Sequence, residues 1–192
     1  MPDPTTTPVL FYGAITGVTW IVFLIVWLAL AIVFRDGGRR YESPATRGLR
    51  LLLAIAIFFA VRYSASAIQP FGALTPDVAA TGAALCVVGL AFAIWARVAL
   101  GRNWGMPMTL HEHPELVTSG PYRLVRHPIY TGISAMMIGT ALVFPLAALP
   151  CLVWIGYVVF SALREERDME QRFQGTYSDY KKRSRMLVPF LF

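Results

Sequence analysis

Charge is scarce in this chain. Asp, Glu, Lys and Arg make up 15% of its 192 residues, and hydrophobic residues make up 56%. A soluble domain carries about 25% charged residues. The mean hydropathy of +0.56 leaves too little polar surface to cover a water-soluble fold. Cysteine is also sparse: Cys86 and Cys151 lie in apolar stretches with no CxxC spacing and no nearby His pair. That pattern predicts plain buried thiols and no metal site. Gly-rich dinucleotide fingerprints and phosphate-binding loops are missing, which excludes a soluble Rossmann-type enzyme. Residues 1–8 contain no Lys or Arg, whereas a signal peptide begins with a positive region. The uncharged run Val9 to Phe34 exceeds the ~20 residues needed to span a bilayer, and reads as a retained membrane helix. The net charge of +6 does not point to nucleic acid, because the basic residues sit between apolar runs, where membrane proteins keep them.

Five apolar segments are present: Val9 to Phe34, about Leu49 to Gln69 (interrupted by Arg62), about Val78 to Leu100, Ile129 to Phe144, and about Leu146 to Leu163. In lipid, an open spanning segment must be a helix, since each backbone polar group needs an internal partner. The expected architecture is all-α: a single polytopic domain over 1–192 with five transmembrane helices, a cytoplasmic loop and a C-terminal helix. The last two spans are short, meet at Pro145 and Pro150, and predict a tight helical hairpin. Arg62 lies toward the outer end of its segment, where it can snorkel to the headgroups.

Basic residues set the orientation. Arg35, Arg39, Arg40 and Arg47 follow the first span, Arg102, Arg123 and Arg126 follow the third, and seven more occur between Arg164 and Arg185. The opposite loops, 1–8, 70–77 and 145–150, contain none. The asymmetry predicts an external N-terminus, a cytoplasmic C-terminus and an odd number of spans, in keeping with a prokaryotic cytoplasmic membrane.

Two polar stretches, Gly101 to Arg126 and Arg164 to Arg185, fall on the same side. In the second, Glu165, Met169 and Phe173 recur at helical spacing and Tyr177 continues the stripe. The sharpest local pattern is Arg126-His127-Pro128-Ile129-Tyr130. Proline suits a first helical turn, so His127 is the expected cap, with Tyr130 one turn inside. Free N–H groups at such a helix start suit a carboxylate. The same residues also fit an ordinary anchor at headgroup depth. Upstream, Ser119-Gly120-Pro121 is turn chemistry that would fold the loop back and bring Tyr122 near His127. Glu165 and Glu166 are acidic residues beside an anionic leaflet, where basic ones are expected. They read either as acceptors for a ribose diol or as a solvated helix start paired with Arg172.

Taken together, LVTSGPYRLVRHPIYTG, an apolar hairpin and EERDMEQRFQGTYSDYKKR resemble the isoprenylcysteine carboxyl methyltransferases and their prokaryotic relatives. The resemblance covers about residues 99–192, with Leu100-Gly101-Arg102-Asn103-Trp104 at its start. Residues 1–70, the N-terminal helical pair, do not share in it. It implies an S-adenosylmethionine-dependent methyltransferase whose acceptor is lipophilic, amphipathic or lipidated and reached through membrane lipid. It further implies a cofactor pocket lined by Pro114, Glu115, Leu116 and Val117, with Tyr122 packing on the cofactor. His127, Pro128, Ile129 and Tyr130 would form the floor, and Glu165, or its neighbour Glu166, would reach in from the tail. Arg164, Asn103 and Trp104 are the substrate-side candidates. Three departures stand out. Met169 replaces a leucine, Gln174 replaces the glycine of an FG pair, and Ser161 stands where prenylcysteine enzymes carry an arginine, with Arg164 displaced by three residues. An NADPH-dependent membrane reductase of the sterol reductase type and a non-enzymatic membrane subunit are the competing readings.

Overall fold

The computed structural model describes residues 6–33, 75–103 and 116–188. Four long helices and one short one lie within them: α1 (Thr6–Val33), α2 (Pro76–Leu100), α3 (Pro128–Val143), α4 (Ala148–Arg172) and α5 (Thr176–Arg183). By length and composition α1, α2 and the hairpin arm Pro145–Arg172 can each cross a membrane, and α3 is a shorter apolar helix. The expected helical membrane bundle is therefore present. The Leu49 to Gln69 segment, with Arg62, lies outside the described residues.

Helix α2 is the centre of the bundle. Its start is set by Thr75, whose side chain accepts from Val78 N, and by Pro76 in the first turn. Its packing on α3 depends on glycine. A methyl group at Gly89 would stand 2.6 Å from the Gly132 carbonyl oxygen, and one at Gly82 would stand 2.6 Å from that of Gly139. Both are distances that real side chains do not tolerate. The two contacts, seven residues apart on each helix, fix α2 and α3 as antiparallel neighbours with their backbones in van der Waals contact. In lipid, where burial of apolar surface gives no drive to association, such close packing of small residues is what holds helices together.

Helix α1 lies parallel to α2. Near their C-terminal ends, Arg97 Nη2 donates to the Leu30 carbonyl at 3.3 Å. Deeper in, Phe23 packs with Ala93 and Met136. Polar side chains inside the apolar bundle find partners: Trp20 Nε1 donates to Thr140 Oγ1 at 2.9 Å, and Thr140 Oγ1 donates to Met136 O at 2.8 Å. The outward faces of α1 and α4, including Leu24, Leu28, Leu152 and Phe160, are exposed and suit lipid.

The α3–α4 hairpin is closed by a 3-10 turn at Pro145–Ala147, as the paired prolines predict. The tail departs from expectation. Glu165 and Glu166 do not open a separate segment after the fifth span, because α4 runs unbroken from Ala148 to Arg172. The stripe from Glu165 to Phe173 does not carry on to Tyr177 in one helix. The chain turns at Gly175, whose φ of 66° is one that favours glycine, and restarts as α5. The glycine missing at position 174 is thus supplied one residue later.

Candidate functional site

The first turn of α3 begins as the sequence predicts, with His127 as N-cap and Pro128 at the first helical position. The imidazole makes no capping bond. It turns instead toward α4, where two successive glutamates face it. Nδ1 lies 3.5 Å from Glu165 Oε2, and Nε2 lies 3.6 Å from Glu166 Oε1. The His127 side chain is 9% exposed. Burial opposes its charge, but the contacts with Glu165 and then Glu166 outweigh it, and the imidazole is raised above its ordinary range. Tyr130 completes the cluster. Its ring stacks on His127 with centroids 5.7 Å apart, and its hydroxyl donates to Glu165 Oε1 at 2.5 Å.

The loop before α3 also folds back. Gly120–Arg123 forms a 3-10 turn, with Gly120 at φ 60°, and Gly120 sits against the Trp95 indole on α2. Tyr122 is buried by this turn. The charged and phenolic groups acting on it are Tyr180, Arg97 and Glu165, and burial, the largest influence, pushes its hydroxyl pKa up. Tyr180 Oη donates to the Tyr122 carbonyl at 2.5 Å. Leu116 and Val117 are half-buried and lead into this turn.

The C-terminal segment closes the far side. Arg126 N donates to Arg185 O at 2.7 Å, His127 N to Met186 O at 3.2 Å and Arg185 N to Leu124 O at 3.3 Å. A short parallel pairing thereby joins residues 124–127 to the tail. Thr131 Oγ1 adds a bond to Leu187 O at 2.6 Å. Met186 and Leu187 pack with Val158 and Ala162 of α4, against which Tyr130 and Trp154 also lie.

The tertiary fold thus brings Tyr122, His127, Pro128, Ile129, Tyr130, Glu165 and Glu166 to one end of the bundle. Asn103 stands in the 3-10 turn that ends α2. Pro114, Glu115 and Trp104 lie outside the described residues. Arg164 is exposed, while Ser161, one turn before Glu165 on α4, is half-buried. Sequence reasoning gave no role to Arg126, Lys181 or Arg97. Arg126 Nε donates to Glu166 Oε1 at 2.6 Å, and Lys181 Nζ lies 3.1 Å from Glu166 Oε2. Arg97 is 1% exposed and donates to Gly101 O at 2.9 Å as well as to Leu30. The available signal for Arg97 was a charge in an apolar segment. In the sequence Arg126 and Lys181 read as part of the general positive bias.

A family model, phospholipid methyltransferase, matches residues 78–176. Methanethiol S-methyltransferase 2 of Bradyrhizobium diazoefficiens is 37% identical over 71 residues, covering 37% of this chain and 27% of that protein. Protein-S-isoprenylcysteine O-methyltransferase B of Arabidopsis thaliana is 28% identical over 115 residues, covering 57% of this chain and 58% of that protein. A probable protein-S-isoprenylcysteine O-methyltransferase of Oryza sativa subsp. indica is 26% identical over 187 residues, covering 86% and 96%. The aligned stretch therefore spans about a quarter of the first relative and little more than half of the second.

Proposed function

The chain belongs to the phospholipid methyltransferase family, and on that premise we propose that it is an S-adenosylmethionine-dependent methyltransferase acting on a lipophilic or amphipathic acceptor at the cytoplasmic face of the membrane. The observation that carries the reading is the junction of His127, Tyr130 and Glu165 at the N-terminus of α3.

The donor set suits this cofactor. The first N–H groups of a helix lack intrahelical partners, and those of α3 suit an amino-acid carboxylate. Glu165, the more exposed of the two glutamates, is a ready acceptor for ribose hydroxyls. Tyr122, Tyr130 and His127 offer ring faces for an aromatic base. Leu116 and Val117 would contribute through their backbone, along with Pro114 and Glu115 upstream. Bound there, S-adenosylmethionine supplies a methyl group already activated on a sulfonium, so no covalent intermediate on the protein is required. The protein's contribution is alignment, worth ~7–11 kcal/mol in well-oriented systems.

The acceptor we favour is uncharged or a thiol, and reaches the site sideways from lipid. Ser161 shares the Glu165 face of α4, while Arg164 is exposed. A substrate carboxylate in this apolar setting needs a paired cation, and the loss of one partner of a buried pair costs about 3–5 kcal/mol. The relatives named above are S-methyltransferase in one case and O-methyltransferase in the others by their names, and either atom is a candidate for the acceptor here. Calorimetry on the purified protein tests the reading, with S-adenosylhomocysteine in one arm and NADPH in the other. Binding of the first is the expected result. Binding of NADPH alone would transfer the site to the reductase class, and binding of neither would favour a non-enzymatic subunit.

A further inference from the structure

Two successive glutamates meet one imidazole, and their surroundings differ. Glu166 is 7% exposed and is held by two cations, Arg126 Nε at 2.6 Å and Lys181 Nζ at 3.1 Å. Arg126 also donates from Nη1 to Ser184 O at 2.6 Å and to Lys181 O at 3.4 Å. One guanidinium therefore joins the start of α3, the α4 carboxylate, α5 and the tail. Glu165 is 28% exposed, and its partners are the Tyr130 hydroxyl and His127 Nδ1. His127 Nε2 is buried with no hydrogen-bond partner. Arg126 and Lys181 hold the Glu166 carboxylate 3.6 Å from it, beyond hydrogen-bond range but close enough for strong charge attraction.

We propose that Glu166 is a positioning residue: clamped by Arg126 and Lys181, it keeps the Nε2 side of His127 protonated and oriented, and leaves Glu165 as the glutamate that meets the cofactor. The assignment of Glu165 rests on the methyltransferase reading. The clamp itself does not. A carboxylate already shared between two cations has few lone pairs left for ribose hydroxyls, whereas Glu165 retains solvent-facing surface. The titratable and charged groups around His127 are Glu165 and Glu166 from α4, Arg126 and Tyr130 on either side of it in the chain, and Lys181 and Tyr177 from α5, which act on it through Glu166.

Titration of histidine-labelled full-length protein in detergent by NMR tests the clamp without reference to cofactor. The His127 signal is identified by its loss in His127→Asn. Glu166→Gln should move the His127 midpoint to lower pH. Lys181→Met should move it to higher pH, because it removes a competing cation while leaving the carboxylate. A purely structural role for Glu166 predicts no such opposed pair. In parallel, Glu166→Gln should weaken S-adenosylhomocysteine binding roughly tenfold or more, with the loss greatest at high pH, and Glu165→Gln should weaken it at every pH. An unchanged midpoint in Glu166→Gln, or a downward shift in Lys181→Met, overturns the proposal. Should Glu166→Gln fail to fold, the half-exposed Lys181 variant decides it. Opposed midpoint shifts in a protein that binds no S-adenosylhomocysteine would uphold the clamp and defeat the cofactor reading.

Discussion

The Tyr130 hydroxyl donates to Glu165 Oε1 at 2.5 Å, and this bond joins the first turn of α3 to the polar end of α4. The two residues are 35 positions apart and separated by the whole apolar hairpin. Tyr130→Ala, His127→Ala and Glu165→Ala should each weaken S-adenosylhomocysteine binding while leaving the protein folded. A hydrogen bond to a charged group is worth about 1.5–3 kcal/mol, roughly ten- to hundredfold in Kd. Calorimetry showing wild-type affinity in all three would refute the placement of the cofactor.

Stability should depend on pH through His127. Its folded pKa is raised, so the stabilisation is fully present below the unfolded imidazole value of about 6.5 and is lost as pH rises through the folded value. The thermal midpoint of the detergent-solubilised protein should fall across that window, and His127→Asn should flatten the profile. Equal slopes in the two proteins would count against a charged imidazole.

Packing of α2 on α3 should fail when Gly89 is enlarged. Gly89→Leu forces a side chain where a methyl group already meets the Gly132 carbonyl. Overpacking costs typically about 1–3 kcal/mol, and helices in lipid have little else to hold them together. A Gly156→Leu control, at a position with nothing within 4 Å, should behave as wild type. Similar thermal midpoints for the two variants would remove the glycine contact as the basis of the bundle.

Arg164→Ala should change turnover by no more than roughly twofold, the range of exposed substitutions within about ±0.5 kcal/mol. Loss of transfer in this variant would return the acceptor to the carboxylate class. So would methylation of a farnesylcysteine analogue at a rate equal to that of the best acceptor.

Orientation is checked by reporter fusions after Phe71 and at Phe192. An external N-terminus, a cytoplasmic C-terminus and five spans require opposite signals at the two positions, and matching signals would sink that topology.

Hydropathy and charge are local properties, and what depends on them was legible from the chain. The apolar runs at 9–34, 78–100, 129–144 and 146–163 correspond to helices α1 to α4, because lipid leaves the backbone no alternative. Proline 128 marked the start of α3, and Ser119-Gly120-Pro121 marked a turn, since both act through their own backbone geometry. The two motif blocks named the residues that meet at the site. The surroundings of Glu165 and Glu166 depend on groups distant in sequence, and only the tertiary structure sets them apart. Glu165 and Glu166 are chemically identical. Arg126, 40 positions upstream of Glu166, and Lys181, beyond the Gly175 turn, make one of them a clamped countercharge and leave the other accessible. Helix α4 continues unbroken through Arg172, with Arg164 exposed beside a half-buried Glu165. A composition shift at residue 164 gives no sign of it, because a change from apolar to charged side chains alters what a helix touches and leaves its backbone hydrogen bonds intact.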